Sequence, residues 1–182
     1  SWDSMFGSKD HLTTIDNHLY IEDVDCCRLA AEEGTPLYVT SERRLRENIR
    51  RYHRAFPDAE KYFAVKANGN PGLLALLRAA GLGADVTSGG ELFLARHAGV
   101  DPERIIFSGV GKKKGEIAEA LATGIRALHV ESEMELAAVA AVAERLGRVA
   151  PIGVRVNPNI SAATHPYIST GLHGHKFGVP RE

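Results

Sequence analysis

A chain of 182 residues, 44% hydrophobic and 25% charged, with a formal net charge of -1, has room for a real core but for only one ordinary domain. This balance speaks against a nucleic-acid partner, because the one basic run, Lys112 to Lys114, is too short for a phosphate-tracking stripe and reads as a solvated helix start. It also speaks against a membrane: no window approaches the roughly 20 apolar residues of a span, and the N-terminus lacks a basic start followed by an apolar stretch.

The first segment, residues 1–33, carries one strand candidate, "HLYIED", and the two adjacent cysteines, Cys26 and Cys27. Adjacent thiols make neither a disulfide framework nor a zinc-ligand pattern, so the expected compartment is the reducing cytoplasm. From about Thr35 short apolar runs alternate with longer amphipathic segments, the order of strand-helix units with a parallel sheet. "TPLYVT" leads into a helix from about Ser41 to Phe56, where Leu45, Ile49, Tyr52 and Phe56 recur at helical spacing. Five strand candidates follow: "KYFAVKA", "GADV", "RIIFS", "ALHVE" and "IGVRVN". The segments near 72–80, 89–98, 112–122 and 132–146 read as helices, two of them opened by a Ser-x-x-Glu capping box at Ser88 to Glu91 and Ser132 to Glu135.

Alternation within the strands separates two faces, because successive side chains point to opposite sides of a sheet. One face carries Phe63 and Val65, Ala84 and Val86, Leu128 and Val130, then Ile152, Val154 and Val156, a set that suits packing against helices. The other carries Ala64 and Lys66, Gly83 and Asp85, Ala127, His129 and Glu131, then Gly153, Arg155 and Asn157. An open doubly wound sheet would be apolar on both faces, so one apolar and one small or polar face predicts a barrel with its polar groups late in each strand. Five units by Asn157 are then the first part of an eight-unit barrel, which takes about 250 residues.

Lys66, pointing into such a barrel, must find an anion or lose its proton, and a neutral amine there is a nucleophile able to form a Schiff base with a carbonyl. Pyridoxal phosphate supplies that carbonyl together with an anionic phosphate. The competing reading is a lysine that snorkels to solvent or pairs with Asp85. Two weaker motifs stand beside it. "SGVGKKKGE" (108–116) joins a strand to a helix through glycines that could cradle phosphate, but it lacks the Walker spacing and reads as a tight turn. His173 and His175 in "HGH" lack a nearby carboxylate or thiolate set, so no metal is expected.

The motifs "GTPLYVT", "YFAVKAN", "GLGADVTSGGEL", "RIIFSGVGKKKGEI", "VESEMEL", "RVNPNI" and "STGLHGHKFGV", in this order over residues 34–179, resemble the N-terminal half of the diaminopimelate decarboxylases. These are pyridoxal-phosphate enzymes on an alanine-racemase-like barrel, related to the eukaryotic ornithine decarboxylases. The resemblance implies an α/β fold, a (β/α)8 TIM barrel of the alanine-racemase type with about the first five units in residues 34–182. It implies Lys66 as the Schiff-base lysine, and Asp85, Ser88, Glu91 and Arg155 on the cofactor side. Ser88 and Glu91 also have a capping explanation, and Arg155 and Asp85 could neutralise each other. Lys176 matches a family position.

Further implications are pyridoxal 5'-phosphate as cofactor, a small amino acid as substrate, a homodimer, and decarboxylation of meso-diaminopimelate to L-lysine by the full-length protein. The same barrel could serve another basic amino-acid decarboxylase, acting on ornithine, arginine, lysine or carboxynorspermidine, or a non-catalytic cofactor-binding half-barrel. The family's ring-stacking histidine, glycine-rich phosphate loop and pyridine-facing carboxylate are expected beyond Glu182. Residues 1–33 are expected to pair with a C-terminal β domain, which would leave "HLYIED" without a partner strand.

Overall fold

Turn chemistry and capping divide the chain before any packing does. In the computed structural model, which describes residues 11–158 and 178–180, the chain forms two compact units, Ser1–Ala59 and Glu60–Glu182. In the first, β1 (Leu12–Ile15) and β2 (His18–Ile21) form an antiparallel hairpin, closed by Asp16 and Asn17, both at positive φ as a tight hairpin turn requires. A third strand, β3 (Val24–Asp25), pairs with the other edge of β2, so "HLYIED" supplies the middle strand of three and is not left unpartnered.

Asp25 then caps α1 (Cys26–Glu33) by accepting from the Cys27 N–H at 2.8 Å. Its carboxyl is held below the ordinary range first by its bond to His18 and then by these backbone donors, against some desolvation. "TPLYVT" is not a strand: residues 35–40 are exposed, Pro36 has no N–H to give a ladder, and the segment pairs with nothing in either sheet edge of this unit. It ends at Ser41, whose hydroxyl accepts from the Arg44 N–H at 3.0 Å and so starts α2 (Glu42–Ala55).

The second unit is a five-stranded parallel sheet of β4 (Tyr62–Ala64), β5 (Gly83–Val86), β6 (Ile105–Phe107), β7 (Ala127–Val130) and β8 (Ile152–Val154), each beside its neighbour in sequence. The crossovers are α3 (Pro71–Ala79), α4 (Gly89–His97), α5 (Lys114–Thr123) and α6 (Glu133–Leu146). Strand order without a reversal has no switch point, which is what a barrel wall requires and a doubly wound sheet lacks. The arrangement is therefore a partial α/β barrel, as the two-faced alternation predicts.

The apolar face is closed by helices over most of its width. Ala84, Val86, Leu128 and Val130 are buried, and so are Leu73, Leu74 and Leu77 of α3, Leu92 and Ala95 of α4, and Ile117 of α5. The alternation fails at the last strand, where Ile152 and Val154 are 41% and 55% exposed, because no helix among the described residues follows β8 to cover it. The "IGVRVN" run also divides. After Val154 the chain leaves β7, and a short β9 (Val156–Asn157) pairs in parallel with β10 (Val179–Pro180).

The polar face depends on glycine at two places. A Cβ on Gly83 would lie 2.6 Å from the Tyr62 ring and against the Arg104 carbonyl, and one on Gly153 would lie 2.7 Å from the His129 imidazole. Small residues on this face are thus a packing demand of the neighbouring rings.

Candidate active site

The strands of the second unit end on a common cleft of about 670 Å³, lined by Lys66, Asp85, Thr87, Ser108, Gly109, Val110, His129, Glu131 and Arg155. Its size falls within the range of small-molecule sites, and its place at the C-terminal strand ends is where barrel enzymes carry their chemistry. Lys66 does not sit in the strand. The strand stops at Ala64, and Val65–Ala67 turn into a 3-10 helix with Val65 packed in the core and Lys66 exposed. The turn anchors the backbone through one buried valine and leaves the amine at the cleft.

Asp85 and Arg155 line the same cleft, but they are not each other's neutralising pair. Arg155 Nη1 donates to Glu131 Oε1 at 3.0 Å, while the buried Oδ1 of Asp85 has no hydrogen-bond partner among the described residues. Register explains the pairing: Val130 lies opposite Val154, so the residues that follow on the adjacent strands, Glu131 and Arg155, come side by side, whereas Asp85 on β5 is three strands from β8. His129 is fixed by Ser108, whose hydroxyl lies 3.2 Å from the imidazole Nδ1.

Ser88 and Glu91 are not among the described residues that line the cleft. Ser88 accepts from the Glu91 N–H at 3.1 Å, as a helix cap does. The return half of the box is shifted by one residue, since the Glu91 carboxylate takes the Thr87 N–H at 2.7 Å and the Thr87 hydroxyl at 3.0 Å. It therefore fixes a cleft-lining residue and acts one shell away. Glu135 makes the same shift, accepting from the Glu131 N–H at 3.4 Å.

The glycine loop proves to be no phosphate cradle at its helix end. Glu116 turns its carboxylate back on the first turn of α5, taking the Lys113 N–H at 2.9 Å, and its second oxygen takes the Gly89 N–H of α4 at 2.9 Å. One side chain thus supplies the anion for two helix starts, and these two donors, Lys113 first, hold its carboxyl below the ordinary range. Lys112 is not a solvated residue either. Its side chain is 1% exposed, and Nζ donates to Gly109 O, His129 O and Glu135 Oε1.

Glu131, His129 and Ser108 were the residues that site prediction passed over. The signal for the first two was present in the strand parity, which puts both on the polar face of β7 with Lys66 and Asp85. His173, His175 and Lys176 lie outside the described residues.

Comparison with known proteins gives the same picture. Residues 42–182 match the family described as pyridoxal-dependent decarboxylase, pyridoxal binding domain. A diaminopimelate decarboxylase of Aquifex aeolicus is 49% identical over 164 residues, covering 90% of this chain and 39% of the relative. The crystal structure of diaminopimelate decarboxylase from Methanocaldococcus jannaschii superimposes with a TM-score of 0.84 at 39% identity, over 94% of this chain and 42% of that one. An ornithine decarboxylase from Entamoeba histolytica gives 0.52 at 32% identity over 54% of this chain and 30% of that one. The chain thus spans about two-fifths of the length of the diaminopimelate decarboxylases it matches.

Proposed function

The chain belongs to the pyridoxal-dependent decarboxylases through the domain that binds pyridoxal, and on that premise we propose that the full-length protein decarboxylates meso-diaminopimelate to L-lysine with Lys66 as its cofactor-bearing residue. The observation that carries the reading is the convergence of one exposed lysine with Asp85, Glu131 and Arg155 on a single cleft at the strand ends. The residues fit pyridoxal phosphate: an accessible amine for its aldehyde, and buried carboxylate oxygens at Asp85 and Glu131 that lack donors among the described residues. When bound, the cofactor supplies an electron sink for the charge left by loss of carbon dioxide.

The chain's own residues have separate tasks in this reading. Lys66 would hold the cofactor through its amine, and the same amine could give or take a proton at the reacting carbon. Asp85 faces the same space and favours the protonated form of a nearby nitrogen. Arg155, held by Glu131, offers a guanidinium to an anionic group of the ligand. Ser88 and Glu91 act behind the cleft wall by capping α4 and fixing Thr87.

A homodimer in the cytoplasm is part of the same proposal and rests on the family resemblance alone; among the described residues no helix is long and apolar enough to cross a membrane. Leu19 and Val24 are exposed apolar residues on one face of the N-terminal sheet, which supports its pairing with a β domain from elsewhere in the full-length protein.

Borohydride reduction of the full-length protein with pyridoxal phosphate, followed by peptide mapping, tests the cofactor assignment. Label on Lys66, absent from Lys66→Ala, is the expected result, and label scattered over surface lysines contradicts it. Carbon dioxide release is then compared across diaminopimelate, ornithine, arginine, lysine and carboxynorspermidine. No release from diaminopimelate would remove the substrate assignment while leaving the cofactor assignment standing.

A further inference from the structure

Resting on the cofactor reading above, we infer that His129 is a ligand-binding residue of the cleft, its imidazole Nε2–H donating a hydrogen bond to the ionised ring oxygen of a bound pyridoxal compound. His129 stands on the polar face of β7 and lines the cleft together with Lys66 and Arg155. Its ring is half-buried and held on both sides. On the β6 side the Ser108 hydroxyl lies 3.2 Å from Nδ1, and Ser108 is itself fixed by giving its N–H to the Val86 carbonyl at 2.8 Å. On the β8 side the ring leans over its register partner Gly153, where a Cβ would come within 2.7 Å of Cδ2 and 3.1 Å of Nε2. Nε2 has no hydrogen-bond partner among the described residues.

The hydroxyl partner decides what that nitrogen offers. A serine hydroxyl both gives and takes a proton, so it donates to Nδ1 of a neutral ring, which leaves the proton on Nε2, or accepts from Nδ1–H of an imidazolium, which also carries a proton on Nε2. Only the neutral tautomer protonated on Nδ1 lacks a donor at Nε2, and an anionic oxygen beside it selects against that form. The carboxylates of the cleft, Asp85 and Glu131, are acceptors and repel an ionised oxygen. Thr87 gives its hydroxyl proton to Glu91, and Ser108 pairs with the imidazole itself. Among the uncharged side-chain donors that line the cleft, Nε2–H is thus the one left for a ligand. The ring oxygen of a pyridoxal compound sits on the carbon next to the one that bears the aldehyde, so a cofactor held by Lys66 brings that oxygen into the same cleft.

A histidine that only fills the space over Gly153 and holds Ser108 would leave the ring oxygen untouched, and a comparison of two ligands separates the roles. Dissociation constants for pyridoxal 5'-phosphate and for its 3-deoxy analogue, which lacks the ring oxygen, are measured on the full-length apo-protein for wild type, His129→Leu and His129→Gln. A hydrogen bond to a charged oxygen predicts about 10- to 100-fold weaker binding of pyridoxal 5'-phosphate in His129→Leu. The 3-deoxy analogue loses little on the same substitution, because the bond removed is one it never makes. His129→Gln keeps an N–H donor and recovers part of the affinity for pyridoxal 5'-phosphate. Equal losses for the two ligands in His129→Leu overturn the inference, as does unchanged affinity for pyridoxal 5'-phosphate.

Should His129→Leu fail to fold, wild-type protein carrying nitrogen-labelled histidine is titrated with both ligands and followed by NMR. A His129 Nε2–H signal that moves downfield with pyridoxal 5'-phosphate and not with the analogue supports the hydrogen bond; the same signal with both ligands overturns it. Wild-type protein that neither binds pyridoxal 5'-phosphate nor takes the borohydride label on Lys66 overturns the cofactor reading together with this inference, an outcome distinct from the others.

Discussion

Glu131 and Glu135 lie one helical turn apart in sequence, and their surroundings are opposite. Glu135 opens α6 and meets Lys112, an ammonium that also has two carbonyl acceptors, so every strong group in that cluster is matched. Glu131 opens on the cleft with one oxygen paired to a half-exposed arginine and the other to nothing among the described residues. The difference teaches how to sort buried charge. A closed set of donors and acceptors holds the strand ends in place, whereas an incomplete set in a cleft is complementary to something that enters.

Removing one partner from the closed set gives the largest expected effect on stability. Lys112→Ala strands Glu135 and leaves the Gly109 and His129 carbonyls without their donor, a loss of about 3–5 kcal/mol by urea unfolding, since the pair is buried. Arg155→Ala is expected to cost less, about 1–3 kcal/mol, because its guanidinium is half in solvent and cleft water can reach Glu131 once it leaves. Equal losses would erase the distinction between the two clusters.

Glycine substitutions sharpen the same contrast at a smaller scale. Gly83→Ala pushes a Cβ onto the Tyr62 ring and the Arg104 carbonyl, and a backbone carbonyl cannot rotate away, so a loss of about 1–3 kcal/mol is expected with no change in the cleft chemistry. Gly153→Ala meets only the imidazole of His129. That ring turns at the expense of its bond to Ser108, so the expected stability loss is smaller and cofactor affinity falls with it. Thermal unfolding and pyridoxal phosphate titration of the two variants, measured together, decide which position governs which property.

Much of this arrangement was legible beforehand. Strand-helix alternation marks each crossover of the second unit, capping serines mark α4 and α6, and the polar strand ends place Asp85 and Arg155 on one cleft, which Lys66 reaches from a 3-10 turn and not by strand parity. What escaped were effects of register and of neighbours. Arg155 pairs with Glu131 because of which residue lies opposite Val154, a fact absent from either strand alone. The Lys112 side chain is buried although its sequence neighbours Lys113 and Lys114 are exposed, since a strand end and the start of α6 supply two acceptors from elsewhere in the chain beside the local Gly109 carbonyl. Ile152 and Val154 have the parity of core residues and no helix over them among the described residues, so periodicity identified the face but not its covering.

The smallest effect concerns Glu116, which belongs with the closed set although it lies nearer solvent. Its carboxylate accepts the Lys113 and Gly89 N–H groups, and this lowers its proton affinity in the folded state relative to the unfolded chain. A carboxyl depressed by folding contributes stability that is fully present above its unfolded value and is lost as pH falls through the folded one. Solvent screening limits the contribution to about 1 kcal/mol or less. Glu116→Gln keeps one acceptor and loses the charge, so its urea midpoint should lie below wild type at pH 7 and converge on it as the pH is lowered through the carboxylate range. A constant gap across that range would mean that the two helix starts are held by shape and hydrogen bonding alone. Convergence would show that the charge itself is one of the matched partners of the closed set.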